Sequence, residues 1–256
     1  MELAPGLDLA TAALLCAAAL VTSALSAVVG MAGGITLLAL MLLFLDPLVA
    51  IPVHGWIQLA SNGARATVQR HHVAGDIVAR YALLLLPGAA LGLAVARALP
   101  EEGLRLAIGV FVLGATWRPG WLLLGAHPER LARGPRFVGL GAVAGVLNMT
   151  VIAPFFLGLG LSRQALVGTK AACQAAGHLA KGLVFGVGGF ALAPWLPFLA
   201  AALAASVLGT WAGSRLLERV SERGFELLYK AVLTAIALRL VVGELPALLG
   251  AARLPS

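Results

Sequence analysis

The sequence predicts an all-α, polytopic integral membrane protein of eight to ten segments, an inverted internal repeat with short, broken helices. Three observations carry that expectation. The 256 residues are 61% hydrophobic and 11% charged, with mean hydropathy +0.97, whereas a soluble domain carries about 25% charged residues. Apolar runs recur along the whole chain, several reaching the roughly 20 residues that a helix needs to cross the hydrocarbon core. Two stretches 115 residues apart carry variations on one pattern, Gly30-Met31-Ala32-Gly33-Gly34 and Gly145-Val146-Leu147-Asn148-Met149. Each precedes a short apolar run and then a helix with a polar face.

The first helix is expected over residues 9–30. Glu2 and Asp8 precede it without any Lys or Arg, so a cleavable secretory signal is not expected and the stretch stays as a membrane helix. A short segment follows over 34–45. Its length gives a rise of only about 18 Å, too little to cross alone. Gly34 and Asp46-Pro47 at its borders break helices, which at membrane depth is tolerated only where protein or a water-filled cavity covers the freed backbone. Asp46-Pro47 reads as a turn and helix start. A long but more polar helix is expected over 48–70, then spans over 76–98 and 103–124. The second half repeats the order, with a short segment over 149–160, a more polar helix over 164–187, and spans over 194–217 and 224–249.

The halves align further. Ala50 matches Ala165, Leu91-Gly92 matches Leu208-Gly209, Pro100-Glu101-Glu102-Gly103-Leu104 matches Ser221-Glu222-Arg223-Gly224-Phe225, and Arg118 matches Arg239. The expected organisation is a first transmembrane repeat over 1–125, a basic cytoplasmic linker over 126–135 and a second repeat over 136–256. An odd number of segments per half inserts the halves upside down relative to each other. Loop charges point the same way. Arg65, Arg70, His71, His72 and Arg80 gather between the third and fourth segments of the first half, while the matching loop, residues 186–194, has no charge. The linker holds Arg118, Arg130, Arg133 and Arg136 against Glu129, and the later cations sit at Arg215, Arg219 and Arg223. Positive loops face the cytoplasm, which puts the N-terminus outside. Arg97 and Arg105 would then lie outside too, with Glu101 and Glu102 between them.

The net charge of +7 belongs to those loops. No basic run with interleaved aromatics occurs, so nucleic acid is not an expected partner. Cys16 and Cys173 lie in apolar stretches without ligand spacing and read as small buried residues, so no metal site and no cofactor is expected. A phosphate-binding Gly-Lys loop and a serine nucleophile elbow are both missing from the sequence.

The chemistry is carried by polar residues in apolar helices. His54, Gln58, Asn62 and Arg65 on one helix, and Lys170, Gln174, His178 and Lys181 on the other, follow spacings of 4, 4 and 3, which place each set on one face. Polar groups inside a bilayer are costly, so two such stripes suggest a buried hydrophilic pathway. Lys170 and Lys181 have no acid on their helix; such cations suit an anionic substrate whose charge offsets their desolvation. Snorkelling to the headgroups is the alternative for both lysines. Arg65 runs directly into the basic loop and is the weakest member. His54 and His178 could relay protons or simply hydrogen-bond to a neighbouring helix. A half-helix starting near the midplane offers unpaired N–H groups and a positive dipole end, so Gly33, Gly34 and Thr36 form a candidate anion cradle. Asn148 and Thr150 stand at the related place in the second half. Close helix packing is the competing role for the glycines.

The order of features resembles the sulfite exporter TauE/SafE family of membrane permeases. The resembling residues are Gly30-Met31-Ala32-Gly33-Gly34 and Pro47-Leu48-Val49-Ala50, then Ala144-Gly145, Ala165-Leu166-Val167-Gly168-Thr169, and Leu208-Gly209 with Gly213. The resemblance covers roughly residues 12–245, with Leu147-Asn148-Met149 replacing the family's second glycine cluster. It implies secondary transport of small anions, such as sulfite or an organosulfonate, across the bacterial inner membrane by a multi-pass protein. The expected partners are that anion and the lipid bilayer; a homo-oligomer is left open. Two other classes stay open: an intramembrane enzyme acting on a lipid phosphate, and a non-transporting assembly or sensor subunit. The enzyme needs an acid–base pair, and only Asp46 lies near the broken segments.

Overall fold

The computed structural model of the chain describes residues 3–29, 33–118, 161–216 and 222–251. Among the described residues the architecture is all-helical, with no strand. Helix α1 spans Leu9–Val29. Asp8 starts it by accepting from the Thr11 backbone N–H at 3.0 Å and the Thr11 hydroxyl at 2.6 Å. Those two hydrogen bonds hold the Asp8 carboxyl below its ordinary value. The short α2 covers Gly33–Met41. Helix α3, Pro47–Val68, begins as the sequence suggests, with Pro47 in its first turn and Asp46 accepting from Leu48 N at 2.7 Å. A single 3₁₀ turn, Arg70–His72, leads to α4, Gly75–Ala82, and α5, Leu85–Ala98. Then come α6 over Glu101–Trp117, α7 over Arg163–Val187, a 3₁₀ turn at Ala193–Trp195, α8 over Leu196–Leu216 and α9 over Glu222–Ala251. The expected linker and the short segment at 149–160 lie outside the described residues.

One expected span is corrected. Residues 76–98 are two helices, α4 and α5, bent by 41° at Leu83–Leu84. Pro87 is the third residue of α5; it has no N–H to offer Leu83, and its ring disfavours a helical carbonyl one turn back. The break therefore falls just before it. The helix expected over 103–124 closes at Trp117, with Arg118 as its cap. Among the described residues two stretches, Leu9–Ser26 and Ala193–Gly213, are long and apolar enough to cross a membrane, and the bent α4–α5 pair makes a third candidate.

Helices α3 and α7 pack against each other at the centre. They run antiparallel: a Cβ built on Gly55 would lie 2.8 Å from Lys181 Cδ, and one built on Gly168 would lie 2.8 Å from Gln69 Cβ. Helix α8 packs on α3, while α4 and α5 pack on α7. Outside these, α1 lies along α8 and α6 along α9, with α2 set against α1 and α3. The α1–α8 contact is intimate because Gly209 and Gly213 leave no side chain there. A Cβ on either would strike the carbonyl oxygen of Leu20 or of Ala24. Small residues four apart allow such backbone approach, and van der Waals packing then holds helices that lipid would not drive together. Hydroxyl pairs add to the packing, Ser23 Oγ lying 2.7 Å from Ser206 Oγ between α1 and α8 and Ser61 Oγ 2.9 Å from Thr210 Oγ1 between α3 and α8.

The two arginines expected on the outer side serve helix ends. Arg105 of α6 donates to the carbonyls of Leu42 at 2.7 Å and Leu45 at 3.2 Å, just past α2, and pairs with Glu101. Arg97 of α5 donates to the carbonyl of Gly188, the C-cap of α7. At Leu42 and Gly188 the arginines meet carbonyls at helix C-terminal ends, where cations are also favoured by the dipole.

Candidate functional site

The polar stripes of α3 and α7 face each other. The antiparallel register brings His54 and Gln58 level with His178 and Lys181, and brings Asn62 and Arg65 level with Gln174 and Lys170. Eight side chains thus form one column, roughly 16 Å from His54 to Arg65 at 1.5 Å per residue. Relative exposures are 2% for His54, 3% for Gln58 and Asn62, 6% for Gln174, 8% for Lys170, and 2% for His178 and Lys181. Neither helix carries an acidic residue, and none of the described acidic side chains is buried.

At one end stand His54, Gln58, His178 and Lys181. His54 Nε2 meets the carbonyl oxygen of Gly34 at 2.8 Å. The His54 and His178 rings lie edge to face, with centroids 5.7 Å apart. The Lys181 stem runs past Gly55, where a methyl group would displace it, and its ammonium lies close enough to both histidines to interact with them electrostatically. Lys181 therefore does not snorkel; its chain is enclosed between the two helices. At the other end Arg65 donates to Ser26 O and to Ser61 Oγ, both at 3.3 Å, and faces Lys170 electrostatically. Between them Asn62 Nδ2 donates to Gln58 O at 2.9 Å.

Several atoms in the column are buried without a hydrogen-bond partner: Lys181 Nζ, both ring nitrogens of His178, His54 Nδ1, Gln58 Nε2 and Arg65 Nε. Such groups ordinarily find partners, because leaving one bare costs about 1–3 kcal/mol, more when charged. Most of these atoms are donors or cations. Among the described residues the column therefore carries more unmet donors than unmet acceptors.

On α2, Gly33 presses against the Thr22 carbonyl and the Ser26 hydroxyl of α1. Gly34 faces the Gln58 amide, 3.3 Å from where its Cβ would be. The glycine pair therefore has a packing role, bringing the start of α2 against α1 and α3, and Thr36 is half-buried on the same helix. Asn148 and Thr150 lie outside the described residues. Ser61, absent from the sequence-predicted set, is fully buried between Arg65 and Thr210. Ser61 stands three residues after Gln58 and four before Arg65, on the same face, so its periodicity was the available signal.

The family model "TauE: Sulfite exporter TauE/SafE" matches residues 15–240. No curated protein and no solved structure matches the chain.

Proposed function

The chain belongs to the sulfite exporter TauE/SafE family, and from that premise we propose that it is a secondary permease for small anions, sulfite or an organosulfonate, working by alternating access. The observation that carries the reading is the acid-free column of cations and amides sealed between α3 and α7. An anion entering it supplies negative charge to Lys170, Lys181 and Arg65 and an acceptor to the unpartnered Lys181 Nζ, Gln58 Nε2 and Arg65 Nε. Gln58 and Gln174 orient the bound anion, and Asn62 lines the path. Gly33, Gly34 and Thr36, with Asn148 and Thr150, supply further donors from the broken segments.

The scaffold of the proposal is a polytopic inverted repeat in the bacterial inner membrane. Its support is the antiparallel pairing of α3 with α7. With an offset of 116, His54 corresponds to Lys170 and Arg65 to Lys181. The His54–Lys181 and Arg65–Lys170 levels then exchange under the repeat, as a two-fold axis across the column requires. The packing of α8 on α3 likewise exchanges with that of α4 and α5 on α7. Permease is favoured over enzyme because no acid stands in the column to pair with a histidine for acid–base catalysis.

The test is thermal stability of the purified protein against sulfite, thiosulfate, sulfate, sulfoacetate, taurine and acetate. A ligand that binds only the folded state raises apparent stability. Saturable stabilisation by one sulfur oxyanion or sulfonate is expected, and it should weaken at least tenfold in Lys170→Met. A monodisperse protein that no anion stabilises would sink the reading.

A further inference from the structure

Of the described side chains at its end of the column, His54 has an unpartnered ring nitrogen whose role is fixed by a hydrogen bond on the other side of the ring. A carbonyl oxygen only accepts, so in the 2.8 Å contact with Gly34 O the hydrogen resides on His54 Nε2. Neutral imidazole carries one N–H, which leaves His54 Nδ1 as an acceptor. That nitrogen is buried and has no partner. The unpartnered atoms near it are Lys181 Nζ, Gln58 Nε2 and the His178 ring, which together offer an ammonium, an amide and a ring N–H as donors, His178 keeping one acceptor nitrogen that no bond fixes. Of the described titratable side chains, His178 and Lys181 of α7 face His54, while α2 faces it with the Gly34 carbonyl. An acceptor fixed in place among donors repels a bare anion oxygen and attracts an oxygen that bears hydrogen.

We propose that this cluster binds an oxyanion together with one proton, held between an anion oxygen and Nδ1 of His54, while Lys181, Gln58 and His178 donate to the remaining oxygens. The inference rests on the permease reading and gives its site a stoichiometry. Two routes lead to the same complex. Either the anion brings the proton as its acid form, or a fully ionised anion binds and His54 takes the proton from solvent. Only the O–H or N–H bond changes, with no electron transferred, and on release the proton leaves with the anion.

The test is isothermal titration calorimetry on the full-length protein in detergent, with sodium sulfite and separately with methanesulfonate. The pH is alkaline enough that free sulfite carries no proton, and two buffers of different ionisation enthalpy report the protons taken up. About one proton per bound anion is expected with either ligand. His54→Asn, whose amide can still donate to Gly34 O, should bind more weakly and take up none. Wild-type binding without proton uptake overturns the proposal and leaves the permease reading standing. So does uptake that survives in His54→Asn but vanishes in Lys181→Met or His178→Asn, since the proton then sits elsewhere. If His54→Asn does not fold, the wild-type count with methanesulfonate decides alone, because that ligand brings no proton of its own. An anion panel that produces neither heat nor thermal stabilisation removes both readings.

Discussion

Arg105 carries two structural tasks on one side chain. Its guanidinium reaches the Leu42 and Leu45 carbonyls from two separate nitrogens held in one rigid fork, a geometry that a point-like ammonium matches less well. Arg105→Met should therefore cost about 1–3 kcal/mol, the penalty for leaving buried acceptors unmet, and lower the apparent melting temperature. Arg105→Lys should recover only part of the loss, and a wild-type melting curve for Arg105→Met would rule the capping role out. Sequence alone marked Arg105 as a charge on the wrong side of the membrane, because loop-charge rules count residues and ignore which carbonyls they meet. At Lys181 the ambiguity was of a different kind. Headgroup and helix interface were equally reachable from that position, and the missing side chain at Gly55, on a helix over a hundred residues earlier, decides the matter.

Helices are held here by absent side chains as much as by present ones. Gly209→Ala would drive a methyl group into the Leu20 carbonyl of α1, and Gly213→Ala another into Ala24. Since backbone cannot swing aside as a side chain does, each should cost about 1–3 kcal/mol as overpacking. Gly186, in the last turn of α7, has nothing within 4 Å of its would-be Cβ. There an alanine should stabilise slightly, by at most about 0.5 kcal/mol, through helix propensity. Thermal melts of the three variants in one detergent check both signs, and equal effects at Gly186 and Gly209 would disprove the close α1–α8 contact. The start of α3 was legible beforehand, since Asp46-Pro47 announces a helix start chemically. The bend before Pro87 was not, because hydropathy is continuous through Leu83-Leu84 and only the proline's missing N–H interrupts it.

Across the molecule, periodicity identified which face of α3 and of α7 is polar, but a face does not name its partner. That the stripes meet each other follows from the register fixed by Gly55, Gly168 and Gly182, where the opposing side chains need the room. The orientation has a direct test. Val68 closes α3, Val187 closes α7, and both are exposed. With Cys16 and Cys173 replaced by alanine, Val68→Cys and Val187→Cys should react with a membrane-impermeant maleimide from opposite sides of sealed vesicles. Labelling of both from one side would refute the proposed topology. In that topology the two ends of the column correspond under the repeat, yet one holds His54 beside Lys181 and the other Arg65 beside Lys170. Two separate chains assembled head to tail would have to carry the same residues at both mouths, and any mutation would strike twice. Gene fusion lifts that constraint: each mouth can drift on its own and acquire its own half-saturating concentration, while the gradients across the membrane still set the direction of net flow.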